Sequence, residues 1–174
     1  MSEQCPRHEP AGITGSPQLD PAEQRCLDSF LDSATRLYMA LDRRLGDAHG
    51  LSFFDVRLLQ VLYEAPDGWM RMSDLAAETM LLMSRVSHQI RRLEAQGWVR
   101  RRAGVADRRS VTVSLTPAGR RRTSAVQATF GGLVRAHFLS PLSRAQMSAL
   151  GHSCYRVSAA LQTGQPNAVL SGVQ

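Results

Sequence analysis

Apolar residues recur every three or four positions at Leu27, Phe30, Leu31, Ala34, Leu37, Tyr38, Leu41 and Leu45. This stripe predicts one helix of about five turns that wants a partner along its length. Asp20-Pro21-Ala22-Glu23 supplies its start, with a capping aspartate, proline in the first turn and an acid near the positive end of the dipole. His49-Gly50 supplies its stop. Ser52, with Asp55 three residues on, predicts a capped second helix that turns Phe53, Val56, Leu59 and Leu62 inward until Ala65-Pro66-Asp67-Gly68. Ser73 is expected to cap a short helix carrying Leu75 and Ala76. After a turn at Leu81 and Leu82, a further helix is expected from Ser84 to Gln96, ending at Gly97.

In that last helix Val86, Ile90 and Leu93 share the buried face, which assigns Arg85, Ser87, His88, Gln89, Arg91 and Arg92 to the outside. Two strands follow, Trp98 to Arg101 and Ser110 to Leu115. The second alternates Val111, Val113 and Leu115 with Thr112 and Ser114, and the hairpin between them is tipped by Asp107, Arg108 and Arg109. Thr116-Pro117 opens a long helix through Phe138, and Ser143 to Gln146 is a capping box for a last helix with Met147, Leu150, Cys154, Val157 and Leu161. The expected fold is mainly α with a small two-stranded β wing (α+β), a winged helix-turn-helix within a single compact unit.

Charge sharpens this picture. Every basic side chain is an arginine; eleven of them lie between Ser84 and Arg122 against only Glu94 and Asp107, whereas the rest of the chain holds ten arginines and thirteen acids. A positive field on a helix face beside an arginine-tipped hairpin is the form that duplex DNA accepts. Three dispersed cysteines, Cys5, Cys26 and Cys154, suit a reduced cytoplasmic protein better than a disulfide framework. Neither a leader peptide nor a membrane span is indicated, since the longest apolar cluster, Met80 to Met83, is far too short. An enzyme would need a nucleophile with its base, or ligands at metal spacing. His152 and Cys154 diverge around a helix, His137 and His152 could meet across the last two helices but as lone histidines are more often surface or satisfied core residues, and no glycine-rich phosphate loop occurs, so neither metal nor cofactor is expected.

The run Asp107-Arg108-Arg109-Ser110-Val111-Thr112-Val113-Ser114-Leu115-Thr116-Pro117-Ala118-Gly119 resembles the wing of the MarR family of bacterial transcription regulators, with its closing Leu-Thr-x-x-Gly. Met72 to Ala76 and Ile90 to Val99 are similar to the family's helix-turn-helix segments, and the resemblance covers Ala22 to Thr163.

What it implies is a homodimer knitted by the first and last helices, bound to a pseudo-palindromic operator of double-stranded DNA and acting more often as a repressor than as an activator. The organisation expected is a flexible tail over 1–19, a family domain over 20–163 and a second tail over 164–174. Within the domain, 50–118 forms the DNA-binding lobe, with 20–49 and 119–163 as dimerisation helices. Expected DNA contacts are Ser73, Ser84, Arg85, Ser87, His88, Gln89, Arg91 and Arg92, with Arg108 and Arg109 on backbone and minor groove, steadied by Asp107. By the same resemblance, a small aromatic carboxylate would bind among Arg36, Tyr38, Phe53, Arg57 and Trp98. Alternatives are a thiol sensor using Cys26, whose apolar neighbours argue for ordinary packing, and a winged helix that binds only protein.

Overall fold

The computed structural model describes residues 18–103 and 110–163. Its elements are α1 (Pro21–His49), α2 (Phe53–Glu64), β1 (Trp69–Arg71), α3 (Met72–Thr79), α4 (Met83–Ala95), β2 (Val99–Ala103), β3 (Val111–Leu115), α5 (Pro117–Val134), a π-helical turn (Arg135–Leu139) and α6 (Arg144–Thr163). The expected tails, apart from Gln18 and Leu19, and the hairpin tip with Asp107, Arg108 and Arg109 lie outside the described residues.

Instead of the single compact unit expected, the chain divides in two between Arg36 and Leu37, within α1. The physical reason is burial: residues 18–36 are exposed throughout, Leu27, Phe30 and Leu31 included, and only Leu41 and Leu45 of the predicted stripe are buried.

In the second unit one core gathers Leu41 and Leu45 of α1, Val56, Leu58, Leu59 and Leu62 of α2, Leu75 of α3, Val86, Ile90 and Leu93 of α4, and Val126 of α5. Side-chain caps start four of the helices as read from sequence. Asp20 Oδ1 accepts from the backbone N–H groups of Ala22 and Glu23, and Ser52 and Asp55 close a capping box. Thr116 Oγ1 accepts from the Gly119 N–H at 3.0 Å, and Ser143 and Gln146 form a second box.

The two-stranded wing proves to be a three-stranded antiparallel sheet in the order β1-β3-β2. Trp69, Met70 and Arg71, which follow the expected turn at Ala65 to Gly68 and were assigned to no element, pair with Ser114, Val113 and Thr112. This register sets half-buried Met70 opposite buried Val113, so the short segment is a strand because a neighbouring edge completes it. The sheet closes on α5 through Gly119, where an added Cβ would lie 1.9 Å from the Trp98 carbonyl oxygen. That close approach explains the glycine of the Leu-Thr-x-x-Gly run.

Candidate nucleic-acid interface

α4 buries Val86, Gln89, Ile90 and Leu93, spaced three, one and three apart. Gln89 was expected outside as a base reader; it is buried because it falls between Val86 and Leu93 on the inward stripe. Ser84, Arg85, His88 and Arg91 are exposed, and Ser87 is half-buried. The guanidinium of Arg85 lies 4.2 Å from the Phe54 ring centroid, a cation–π contact that orients its stem while leaving the side chain exposed. Arg91 Nε donates to the Ser87 carbonyl at 3.2 Å.

Arg92 does something else. Its Nη2 donates to Asp55 Oδ2, which also accepts from the Ser52 N–H at 2.8 Å and the Ser52 hydroxyl at 2.6 Å. The Asp55 side chain is 0% exposed and that of Arg92 42%, so this charge neutralises a buried carboxylate and ties α4 to α2. Sequence reading noted Asp55 only as a cap; the available signal was its place on the apolar face of α2 with Leu58, Leu59 and Leu62.

The far end of α4 is anchored to β2. Arg101 donates its backbone N–H to Glu94 Oε1 at 2.9 Å and its Nε to Oε2 at 2.7 Å, and these bonds, the backbone one foremost, hold the Glu94 carboxyl below its usual range. A groove runs between α3, α4 and the sheet, lined by Arg71, Met72, Ser73, Met83, Ser87, Arg101, Ser110 and Val111. Ser73 is not the cap expected: the capping position falls two residues earlier at Arg71, α3 begins at Met72, whose half-buried side chain packs on the core, and the Ser73 hydroxyl donates to Asp74. α4 likewise begins at Met83, not Ser84, with Leu82 in the capping position. Among the described residues neither α3 nor α4 has a side-chain cap.

Arginines beyond the helix-turn-helix divide by role. Arg120 lies over Tyr63, and Arg122 lies over Trp98 with its Nη2 donating to the His49 carbonyl at 2.6 Å. His49 Nε2 meets Thr129 Oγ1 at 2.9 Å, and burial, with a smaller push from Arg122, lowers its pKa from the ordinary 6.5. This junction joins the end of α1 to α5 and the sheet.

Of the expected ligand residues, Tyr38 and Phe53 come together, their centroids 5.5 Å apart edge to face. Phe54, 5.5 Å from Tyr38, completes the cluster and was not singled out from sequence. Trp98 is engaged by Arg122, and Arg57 donates to Gln60. Arg36 belongs to the first unit, where it is exposed and pairs with Asp32, one helical turn away. Cys26 was expected to be packed; it is exposed, as are Leu27, Phe30 and Leu31 beside it. Among the described residues, no group of three His, Cys, Asp or Glu side chains could hold a metal, and no helix is long and apolar enough to cross a membrane.

Two helices with a tight turn, the second presenting serine, histidine and arginine, followed by an arginine-bearing hairpin, define a winged helix-turn-helix of the DNA-binding type. A profile of the MarR family matches residues 49–110. AbsC, a MarR family transcriptional regulator from Streptomyces coelicolor, is 33% identical, superposes with a TM-score of 0.79, and is matched over 86% of this chain and 100% of its own. Sco3205 from the same organism, a MarR family regulator solved in complex with DNA, is 32% identical with a TM-score of 0.81, over 86% of this chain and 93% of its own. BpsR of Bordetella bronchiseptica, whose DNA binding is regulated by 6-hydroxynicotinic acid, shares the fold at 22% identity and a TM-score of 0.69, over 77% and 98%. No curated protein sequence matches. The chain belongs to the MarR family of transcriptional regulators, which are DNA-binding proteins and not enzymes.

Proposed function

We propose that this regulator binds a pseudo-palindromic operator duplex as a homodimer, placing α4 of each protomer in a major groove and acting as a repressor. The observation that carries the reading is the division of labour on α4: Ser84, Arg85, His88 and Arg91 are exposed, while Arg92 and Glu94 fix the helix to α2 and β2. A helix anchored at its inner face and far end is pre-organised to read base edges with its outer face. Asp107, Arg108 and Arg109 are assigned to wing contacts on the backbone and minor groove. The DNA complex of Sco3205 supports the reading.

Dimerisation is assigned to α1 and α6, whose exposed Leu27, Phe30, Leu31, Tyr155, Val157 and Leu161 are more apolar surface than solvated helices need. The organisation into a DNA-binding lobe over 50–118 and flanking dimerisation helices follows from that assignment.

The signal is read as a small aromatic acid. Support comes from the Tyr38, Phe53 and Phe54 cluster, which sits beside a DNA-facing guanidinium through the Arg85 contact with Phe54. A second reading, thiol sensing, is favoured by the exposure of Cys26; peroxide would then weaken DNA binding of the wild type and not of Cys26→Ser.

The experiment is a fluorescence-anisotropy titration of the intergenic duplex flanking the gene, from 50 to 200 mM salt. About six phosphates neutralised per dimer give a log–log slope near −5 and a loss of about a thousandfold across that range. A flat salt response overturns the reading in favour of a winged helix that binds only protein.

A further inference from the structure

The leading end of α4 is apolar where the rest of its outer face is polar. Met80 is 91% exposed, Leu82 77% and Met83 44%, and Ser84 and Arg85 follow at once. Leu81 between them is half-buried and packs on the core, so the turn is pinned at its middle with Met80 and Leu82 standing outward. Its backbone is held by the Met80 N–H donating to the Ala77 carbonyl at 3.1 Å and the Leu81 N–H to that of Ala76 at 3.0 Å.

Local preference opposes both exposed residues. Met80 takes the left-handed conformation, with φ of 53°, where glycine is the ordinary occupant. Leu82 fills the capping position of α4, where serine, threonine, aspartate or asparagine would satisfy an orphan amide. Neither burial nor helix chemistry accounts for these side chains. Their position does: they continue the polar reading face toward the N-terminus of the helix, the part that enters deepest in helix-turn-helix docking. The one apolar group exposed on a base edge in the major groove is the C5 methyl of thymine.

We infer that Leu82 and Met83, flanked by Met80, select operator half-sites by packing on thymine methyl groups. The inference rests on the proposed docking of α4 in the major groove and adds to it a base preference. Seryl and arginyl neighbours supply hydrogen bonds and charge, and the apolar lip supplies contact that only a methyl-bearing base returns. Burying one methyl group is equivalent to about fourfold in affinity, or about 0.8 kcal/mol. A dimer contacting one thymine in each half-site should therefore discriminate by about fifteenfold.

The test uses duplexes that the full-length protein recovers from a random-sequence pool. Each is resynthesised with deoxyuridine for thymidine, which removes the methyl and leaves every hydrogen-bonding edge intact. The wild type is expected to bind the uracil duplex about four- to fifteenfold more weakly at one salt concentration. Leu82→Ala/Met83→Ala is expected to bind both duplexes alike, with unchanged helicity and unchanged mass by light scattering.

Equal binding of the two duplexes by the wild type, with salt-steep affinity retained, overturns the methyl reading and leaves DNA binding standing. Full discrimination by the double variant also overturns it, and a change in the variant's oligomeric state reassigns the patch to contact between copies. Recovery of no duplex at all overturns both readings together.

Discussion

Two neighbouring arginines on one helix are expected to fail in opposite ways. Replacing Arg92 by Met leaves the Asp55 carboxylate, 0% exposed, with the Ser52 N–H and hydroxyl as its remaining partners among the described residues. Breaking a buried pair costs about 3–5 kcal/mol when both charges are desolvated. Here the arginine is 42% exposed and two hydrogen bonds to the carboxylate survive, which brings the expected loss to about 1.5–3 kcal/mol. In a domain of this size that lowers the melting temperature by about 4–10 °C. Arg91 is exposed and, among the described residues, bonds within its own helix turn, so Arg91→Met should hold stability within about 0.5 kcal/mol.

DNA binding should rank the pair the other way. Arg91→Met should make the salt dependence shallower by about 0.9 per protomer, one phosphate contact each, and Arg92→Met should leave the slope unchanged. Urea denaturation at a fixed protein concentration measures the first quantity and anisotropy titration the second; fixing the concentration matters because subunit association contributes to apparent stability. If Arg92→Met flattens the salt slope while melting normally, the assignment of Arg92 to Asp55 is wrong.

Gly119→Ala would set a methyl 1.9 Å from the Trp98 oxygen and 2.8 Å from its carbonyl carbon, and neither can yield without moving the sheet. The expected loss is at or above the upper end of about 1–3 kcal/mol for overpacking, read by thermal melting; a variant within about 0.5 kcal/mol of wild type would sink the argument. The lowered pKa of His49 means that the unfolded chain binds more protons just below the ordinary value of 6.5. Stability should therefore rise with pH through that window and level off above it. His49→Gln should remove this slope in urea titrations at pH 5.5 and 7.5, and an unaltered slope would place its origin elsewhere.

Helix caps were the most legible part of the sequence, because a cap is a local bargain between one side chain and the next turn. Asp20, Ser52, Thr116 and Ser143 act as read, whereas Ser73 does not cap α3. The inward stripe of α4 was legible from Val86, Ile90 and Leu93, yet Gln89 was misplaced because its polarity outweighed a position that periodicity already marked as buried. β1 was hidden because three residues carry too little alternation, and its partner strand lies more than forty positions away. Arg92 could not be told from Arg91 by type, charge or neighbourhood. What separates them is Asp55, 37 positions earlier, brought within reach only by folding. Phe54 escaped notice for the same reason, since its significance depends on Arg85 closing over it.

The uncapped starts of α3 and α4 bear on how this protein can change. Elsewhere the chain uses the side chains that make a helix end most stable, so the omission at Arg71 and Leu82 marks two places where an easy gain in robustness has been left unclaimed. An aspartate at 82 would strengthen the free protein and, in the proposed docking, turn a negative charge toward the operator. Selection for heat resistance and selection for target recognition therefore pull this one position in opposite directions. A regulator adapting to a hotter habitat should seek its stability in the core and leave the reading helix as it is.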